Sequence, residues 1–321
     1  MVIKMDKKIK LIAIVGPTAS GKTALSVNIA EKTGGEIVSA DSMQIYKGMG
    51  IGTAKPDETE KRGIPHHLMD FLEPDAQYSV AKYTSDAREI IKDIHGRGKI
   101  PVIAGGTGLY VSSLLNNIEF SEHGTDEKYR AELAAVAEKD GGAALLGLLR
   151  DIDPETADRL PENDRKRIIR ALEVYRVTGI TMSEHIGKSQ LNPSPYDPLI
   201  IGLDFRDRQT LYDRINRRVD DMMEKGLLKE AETVLKSNQK TASQAIGYKE
   251  LIPYLDGQST LSEAVENIKM ETRRYAKRQL TWFRRDKRAQ WLFVDDYESF
   301  GDVADAAAGM VKAHFEQTGD V

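Results

Sequence analysis

The segment GPTASGKT, at residues 16–23, limits what this chain can fold into more than any other part of the sequence. It follows the apolar run Leu11–Val15 and precedes an alanine-rich, helix-prone stretch. Strand, glycine-bounded turn and helix therefore come in the order that a phosphate-binding loop requires. The glycines let backbone N–H groups point inward, and the helix N-terminus and Lys22 add positive charge. The segment predicts a site for a di- or triphosphate, with the Thr23 hydroxyl placed to hold a divalent ion.

Length and composition exclude several classes of protein. A chain of 321 residues is long for one compact domain, so we expect two lobes or one domain with an insertion. The absence of cysteine excludes disulfides, thiolate metal sites and cysteine nucleophiles. No apolar run approaches the roughly 20 residues of a membrane span, and no signal-type segment precedes the phosphate loop. We therefore expect a cytoplasmic protein.

Basic residues are unevenly distributed in a chain whose net charge is −4. Eight Lys or Arg residues and one acid lie between Arg273 and Arg288, and smaller basic clusters occupy residues 165–170 and 214–218. Any single cluster is also consistent with a solvated helix face. Three clusters in an acidic protein favour a surface that grips a polyanion on one side.

The order of strand and helix patterns predicts an α/β fold. Strand patterns at 11–15, 36–40 and 101–104 alternate with helical ones at 22–33 and 79–95, as in a parallel sheet. Helical patterns replace them over 118–198, and strand patterns return at 199–205 and 290–294. We predict a P-loop NTPase-like parallel sheet core, formed by 1–117 and 199–321, that is interrupted by a helical insertion at 118–198.

Three loops follow the predicted strands, at 16–23, 41–46 and 105–110, and should converge on one crevice because ligands bind at the carboxyl ends of parallel strands. Asp41 directly follows a strand and is consistent with a magnesium ligand, a general base or a helix cap. Its position beside a phosphate loop favours catalysis. Arg214 and Arg218 share one face of a predicted helix, where either one is suited to clamp a diphosphate or to remain a surface charge.

Two other features are interpreted as structural. His66 and His67 have no third ligand at metal-site spacing, so no zinc site is assigned. Trp282 is interpreted as a packing anchor on a basic helix in preference to a base-stacking platform.

Six motifs together resemble the tRNA dimethylallyltransferases, also called tRNA isopentenyltransferases. They run in order over nearly the whole chain, and the second is far more specific than the phosphate loop alone. The motifs are GPTASGKT, DSMQIYKGMGIGTAKP (41–56), PHHLMD (65–70), GGTGLY (105–110), IGYKE (246–250) and KRQLTWFRR (277–285).

The resemblance implies a reaction. A dimethylallyl group moves from dimethylallyl diphosphate to N6 of the adenosine 3′ of the anticodon, in tRNAs that read codons beginning with U. The implied partners are the tRNA anticodon stem-loop and the prenyl donor, with Mg²⁺ as cofactor and no membrane or obligate protein partner. A diphosphate leaving group requires preorganised donors, which the phosphate loop supplies.

The resemblance also implies roles for particular residues. Asp41 matches the general base, Thr107 a residue near the reacting nucleotide, and Arg214 a diphosphate contact for which Arg218 is the alternative. The donor site is assigned to Gly16, Pro17, Thr18, Ala19, Ser20, Gly21, Lys22 and Thr23, and Thr23 also to the metal. The implied tRNA contacts are Asp41, Ser42, Met43, Gln44, Thr107, Arg130, Lys166, Arg167, Ile168, Ile169, Arg170, Gln244, Gly247, Tyr248, Lys249, Lys277, Arg278, Gln279, Thr281 and Arg284.

Three alternatives remain open at this point. An adenylate isopentenyltransferase shares the loop but has less need of an RNA-gripping insertion. An ATP-dependent small-molecule kinase would explain the loop and Asp41 and leave the other motifs unexplained. A non-catalytic RNA-binding module would give Asp41 and the intact loop no purpose.

Overall fold

The computed structural model describes residues 8–118, 120, 126–190, 192–236 and 244–316. The chain divides into two compact units, one formed by Met1–Leu115 with Pro195–Val321 and the other by Asn116–Ser194. Both bounds lie a few residues earlier than the predicted 118 and 198. The second bound moves because the strand that follows the insertion begins at Tyr196, where it pairs with Ile9.

The larger unit is built on a six-stranded sheet within the described residues. Its strands pair in the order β3-β2-β4-β1-β5-β6, and every pairing is parallel. The strands are β1 (Ile9–Val15), β2 (Glu36–Ser39), β3 (His66–His67), β4 (Pro101–Gly105), β5 (Tyr196–Asp204) and β6 (Gln290–Phe293).

Strand β1 is buried on both faces, as its continuous apolar sequence predicts. Leu11, Ala13 and Val15 face one core cluster, whereas Ile12 and Ile14 face the other. In the parallel register Val15 pairs with Gly105 on β4, and Ser39 on β2 pairs with Ala104. The carboxyl ends of β1, β2 and β4 therefore lie side by side.

Helices cover both faces of this sheet. Helices α1 and α14 pack on the face of Ile12 and Ile14, and α3 and α4 pack on the opposite face. A further apolar cluster joins residues 45–49 to α10, α11 and α13. The helices of this unit are α1 (Lys22–Thr33), α2 (Glu58–Lys61), α3 (Val80–Gly96), α4 (Gly108–Leu115), α10 (Arg208–Glu224), α11 (Leu227–Lys236), α12 (Ile252–Leu255), α13 (Leu261–Phe283) and α14 (Phe300–Glu316).

The smaller unit is helical throughout its described residues. Its apolar core includes Leu145, Leu149 and Ile168. Glu173 is fully buried beside this core and accepts hydrogen bonds from Arg130 and Arg170. Its helices are α5 (Glu127–Lys139), α6 (Gly141–Ile152), α7 (Pro154–Arg159), α8 (Arg165–Thr178) and α9 (Met182–Gln190). Across both units, none of the described helices is long and apolar enough to cross a membrane.

Glu36 fixes the start of β2, the strand that leads to Asp41. Its carboxylate lies among Arg97 (Nη1, 2.5 Å), Lys99 (Nζ, 2.7 Å) and His67 (Nε2, 2.8 Å). The hydrogen bond with Arg97, assisted by Lys99 and His67, holds the pKa of Glu36 well below its usual value of 4.5. His67 is thus a structural partner of Glu36, and His66 Nδ1 lies 2.8 Å from the Ile64 carbonyl oxygen.

We expect Glu36→Gln to lower the free energy of unfolding by about 1–3 kcal/mol at neutral pH, because a buried charged hydrogen bond is lost while Arg97 and Lys99 regain water. Because the pKa of Glu36 is lower in the folded protein than in the unfolded one, ionisation of Glu36 stabilises the folded state at pH values above 4.5. This stabilisation is lost progressively as the pH falls from 4.5 toward the folded pKa. Urea unfolding from pH 7 to 3 should therefore show the two proteins converging. The exposed Glu58→Gln is the control, and a pH-independent difference would contradict the ion-pair account.

Candidate active site

A cavity of about 670 Å³ lies at the carboxyl edge of the sheet. Residues of all three predicted loops line it, including Thr18, Asp41 and Gly105. Helices α10 and α13 complete its wall through Arg214, Arg218, Tyr275 and Gln279. A cavity that joins loops from adjacent strand ends is the usual ligand site of a parallel sheet.

The phosphate loop adopts a backbone that requires glycine at two positions. Gly16 and Gly21 have φ angles of 147° and 96°. A Cβ atom on Gly16 would lie 2.6 Å from the Leu203 carbonyl oxygen, and one on Gly21 would lie 2.4 Å from the Phe300 ring. The close packing keeps the first amides of α1 at the cavity wall, where they are oriented toward an anion.

Lys22 is a half-buried cation that lacks an anionic partner among the described residues. Its Nζ donates to the Pro17 carbonyl oxygen at 2.6 Å. Burial and the nearby Arg218 lower the pKa of Lys22 to about 7, and Asp41 opposes the shift only in part. A phosphate group at the loop would supply the missing negative charge and restore the ammonium form.

Both candidate clamp arginines lie at this loop. Arg214 Nε donates to the carbonyl oxygen of Ala19 at 2.9 Å, so its guanidinium lies against the loop. Arg218 is one helical turn further on, and burial lowers its pKa. Among the described residues, neither guanidinium forms an ion pair. Both guanidiniums therefore remain available to an anion in the cavity.

Thr107 is hydrogen-bonded to Ala40 and Ser42, the two chain neighbours of Asp41. Asp41 Oδ1 accepts hydrogen bonds from the Met43 and Gln44 amides at 2.9 and 3.3 Å. Thr107 Oγ1 accepts from the Ser42 amide at 3.0 Å, and its own amide donates to the Ala40 carbonyl oxygen at 3.0 Å. One carboxylate oxygen thus performs the capping role, while the side chain still lines the cavity.

Glu230 anchors the outer wall of the cavity, which sequence reasoning missed. Its carboxylate accepts from three successive amides, those of Gly50 and Ile51 at 2.9 Å and Gly52 at 2.8 Å. The Tyr248 hydroxyl donates to the same carboxylate at 2.7 Å. Nothing in the sequence pairs Glu230 with this loop, because the contact spans about 180 residues.

The buried clamp limits which residues of the predicted RNA contacts at 244–249 are exposed. Tyr248 is fully buried and Gly247 is buried beside it, so neither residue is exposed on a surface that RNA could contact. Gln244 is exposed and Lys249 is half exposed, which leaves both available. Gln44 is also occupied, since its side-chain amide donates to the Thr53 carbonyl oxygen at 3.1 Å.

Helix α13 carries residues of two kinds. Lys277, Arg278 and Thr281 are exposed, as the predicted RNA contacts require. Gln279 is only 4% exposed and lines the cavity, so a contact with RNA could be made only inside the cavity and stays a prediction. Arg284 pairs with the buried Asp204 at 2.5 Å and therefore has a structural role.

Tyr275 also lines the cavity and was missed by the sequence analysis. Burial and the charge of Asp41 raise the pKa of Tyr275 well above its usual range, so its phenol remains protonated. Tyr275 lies four residues before Gln279, so both side chains lie on one face of the helix. This spacing is the one sequence feature that could have identified Tyr275.

The predicted RNA contacts in the insertion also divide. Lys166 and Arg167 are exposed. Arg130 and Arg170 are held by Glu173, with their guanidiniums still partly exposed. The Ile168 side chain is fully buried and Ile169 packs against the same core, so neither aliphatic side chain is free for RNA.

Trp282 packs against α4, in keeping with its interpretation as an anchor. A Cβ atom on Gly108 would lie 2.3 Å from the indole Cδ1, so only glycine lets the ring approach this closely. Arg285 lies over the outer face of the same ring, 5.9 Å from its centre.

We expect the affinity for inorganic diphosphate to fall about tenfold between pH 7 and 8.5, because neutral Lys22 is not competent to bind and its pKa in the free protein is about 7. Isothermal titration at constant Mg²⁺ would measure this, with Lys22→Met as the variant that reports only the titration of the ligand. Parallel pH profiles for the two proteins would contradict the role of Lys22.

Comparison with known proteins gives a consistent result. The sequence model of a family described as IPP transferase matches residues 44–286, and that of the isopentenyl transferases matches 9–70. A tRNA dimethylallyltransferase of Thermoanaerobacter sp. (strain X514) is 49% identical over 300 residues, covering 92% of this chain and 95% of the relative.

Two solved structures share the fold. The tRNA isopentenylpyrophosphate transferase of Bacillus halodurans has a TM-score of 0.73 and 43% identity, covering 97% of this chain and 98% of that one. A eukaryotic dimethylallyltransferase described as acting on tRNA has a TM-score of 0.72 and 32% identity, covering 86% and 70%. With its P-loop NTPase-like sheet and a match over most of its length, this chain belongs to the IPP transferase family. The members of that family that it resembles here are named tRNA dimethylallyltransferases or tRNA isopentenylpyrophosphate transferases.

Proposed function

We propose that this chain transfers a dimethylallyl group from dimethylallyl diphosphate to N6 of the adenosine 3′ of the anticodon in tRNA, releasing diphosphate. The observation that supports this most directly is that Asp41 shares one cavity with the phosphate loop and its unpaired cations. The relatives of this chain are named as dimethylallyltransferases that act on tRNA.

The donor diphosphate would lie on the phosphate loop. Amides of the loop, the Lys22 ammonium and the guanidiniums of Arg214 and Arg218 surround this position with positive charge. As the C1–O bond of the donor breaks, negative charge grows on the leaving diphosphate. Donors that are already in place stabilise this charge without reorganisation, which lowers the barrier.

The residues present fit a magnesium ion held together with substrate. Thr23 and Ser39 both line the cavity, and the buried Ser39 hydroxyl lacks a partner in the described structure. No group of three or more His, Asp or Glu side chains in the described region forms an all-protein metal site. Mg²⁺ is commonly held by few protein ligands plus substrate phosphates, and when bound it would neutralise diphosphate charge. We assign Thr23 as its protein ligand.

Asp41 would act as the general base toward the acceptor. The adenosine N6 attacks C1 of the dimethylallyl group, the C1–O bond breaks, and the N6 proton passes to the Asp41 carboxylate. The amides of Met43 and Gln44 hold one oxygen of that carboxylate, so the other is left to receive the proton. Thr107, which is hydrogen-bonded to Ser42, lies next to this base and would orient the nucleotide.

The acceptor adenosine must leave its stack to reach the cavity, and anticodon loops lower this cost because their bases are poorly stacked. Phosphate contacts would come from exposed cations at the C-terminal end of α13, namely Lys277 and Arg278 on the helix and Arg285 just after it. The exposed Lys166 and Arg167 of the insertion provide a second basic group for the anticodon arm.

Mass spectrometry of tRNA after incubation with dimethylallyl diphosphate and Mg²⁺ tests the proposal. Substrate tRNA should gain the mass of one dimethylallyl group at the adenosine next to the anticodon. AMP and ATP, incubated in parallel, distinguish a free-nucleotide prenyltransferase, and transfer of phosphate from ATP would indicate a kinase. Modification of free nucleotides without modification of tRNA would refute the assignment.

We expect Asp41→Asn to slow transfer by about 10²–10⁴-fold, the usual contribution of a positioned general base. Asparagine keeps an oxygen for the Met43 and Gln44 amides, so donor and tRNA affinities should change little. Single-turnover rates at saturating substrate measure the effect. Asp57→Asn removes another carboxylate of the same cavity and should stay within threefold, and similar losses in both variants would contradict a specific base.

We expect the combined variant Lys277→Ala, Arg278→Ala and Arg285→Ala to flatten the slope of log tRNA affinity against log salt by about 2, given roughly 0.7–0.9 for each phosphate contact. Arg284 is left intact because its removal would strand the buried Asp204. Filter binding at several salt concentrations measures the slope. The control is a variant with alanine at the exposed Lys92, Lys229 and Lys312. If the α13 variant has the same slope as the wild type, the phosphate contacts are made by other residues.

A further inference from the structure

Gln279 links two loops of the active site through one side-chain amide. Its Oε1 accepts from the Thr18 amide of the phosphate loop at 2.8 Å, and its Nε2 donates to the Gly106 carbonyl oxygen at 3.0 Å. The orientation of the amide is unambiguous, since a backbone N–H only donates and a carbonyl oxygen only accepts. A primary amide offers an acceptor and a donor side by side on one planar group, and asparagine, the other amide side chain, is one methylene shorter.

The two linked loops serve the two substrates of the proposed reaction. Thr18 belongs to the loop that would hold the donor diphosphate. Gly106 precedes Thr107, whose hydroxyl accepts from the amide of Ser42, next to the base Asp41. Gln279 therefore closes a chain of hydrogen bonds from the donor loop to the loop that carries the base.

Gly106 is shaped to this contact. A Cβ atom at Gly106 would lie 2.0 Å from Nε2 of Gln279, closer than any real pair of such atoms. Its φ angle is outside the left-handed region, so the backbone alone does not require glycine there. The nearest atoms that would collide with a larger residue at this position belong to the side chain of Gln279.

We propose that Gln279 is a positioning residue that sets the separation between the donor loop and the acceptor loop. This inference rests on the proposed function, because its effect is on the transfer step. A displacement of about 1 Å between reacting groups can cost a factor of 10² in rate. Gln279 itself neither titrates nor needs to touch the reacting atoms.

The test compares binding with chemistry in Gln279→Ala. We expect single-turnover transfer at saturating substrate to fall about 10–100-fold, while the dissociation constants for inorganic diphosphate and for tRNA change less than threefold. Gln258→Ala, an exposed glutamine of the same unit, should match the wild type. Gln279→Glu keeps the acceptor and loses the donor, so it should show a similar loss even if the alanine variant folds poorly.

A double-mutant cycle separates positioning from a general structural defect. Gly106→Ala should slow transfer in the wild-type background, because the new methyl group displaces Gln279. In the Gln279→Ala background the same change should cost less than threefold, since the colliding group is gone. Additive losses would overturn the proposal, as would normal transfer by Gln279→Ala. A wild type that transfers nothing would instead overturn the proposed function together with this inference.

Discussion

The parallel register of β1, β2 and β4 is the constraint on which the active site depends. Val15 pairs with Gly105 and Ser39 with Ala104, so three strands end at one edge of the sheet. Each then releases its backbone into a loop: the phosphate loop, the Asp41 segment and the segment with Thr107. Because β1 is buried on both faces, a slip of one residue would exchange its side chains between the two cores and disturb the packing of both.

The electrostatics of the cavity follow from this convergence. Lys22, Arg214 and Arg218 lie around a partly buried loop that supplies no anion of its own, and the depressed pKa of Lys22 reflects the unfavourable free energy of that arrangement. An arrangement that is unfavourable when empty is favourable for binding a polyanion. Asp41 is the one described carboxylate whose charge acts on both Lys22 and Arg218, so the proposed base would lie next to the leaving diphosphate.

Contacts distant in sequence hold the walls of the cavity. Glu230 collects three successive amides and the Tyr248 hydroxyl, and Gln279 joins two loops from α13. These are polar groups that are satisfied within the protein, and their hydrogen bonds restrict the loops that face substrate. Tyr248 of the motif IGYKE belongs to this internal clamp.

The sequence by itself determined the phosphate loop, the sheet that supports it and the family, because these depend on local spacing and on hydrophobic periodicity. Asp41 and Thr107 were also predictable, since residues after parallel strands meet at one edge. Which cations remain free was decided only by the tertiary structure: Arg284 is bound by Asp204 and Arg130 by Glu173, whereas Lys277 and Arg278 are exposed. A charge has the same sequence signature whether it faces solvent or a buried carboxylate, so partners far along the chain decide its role.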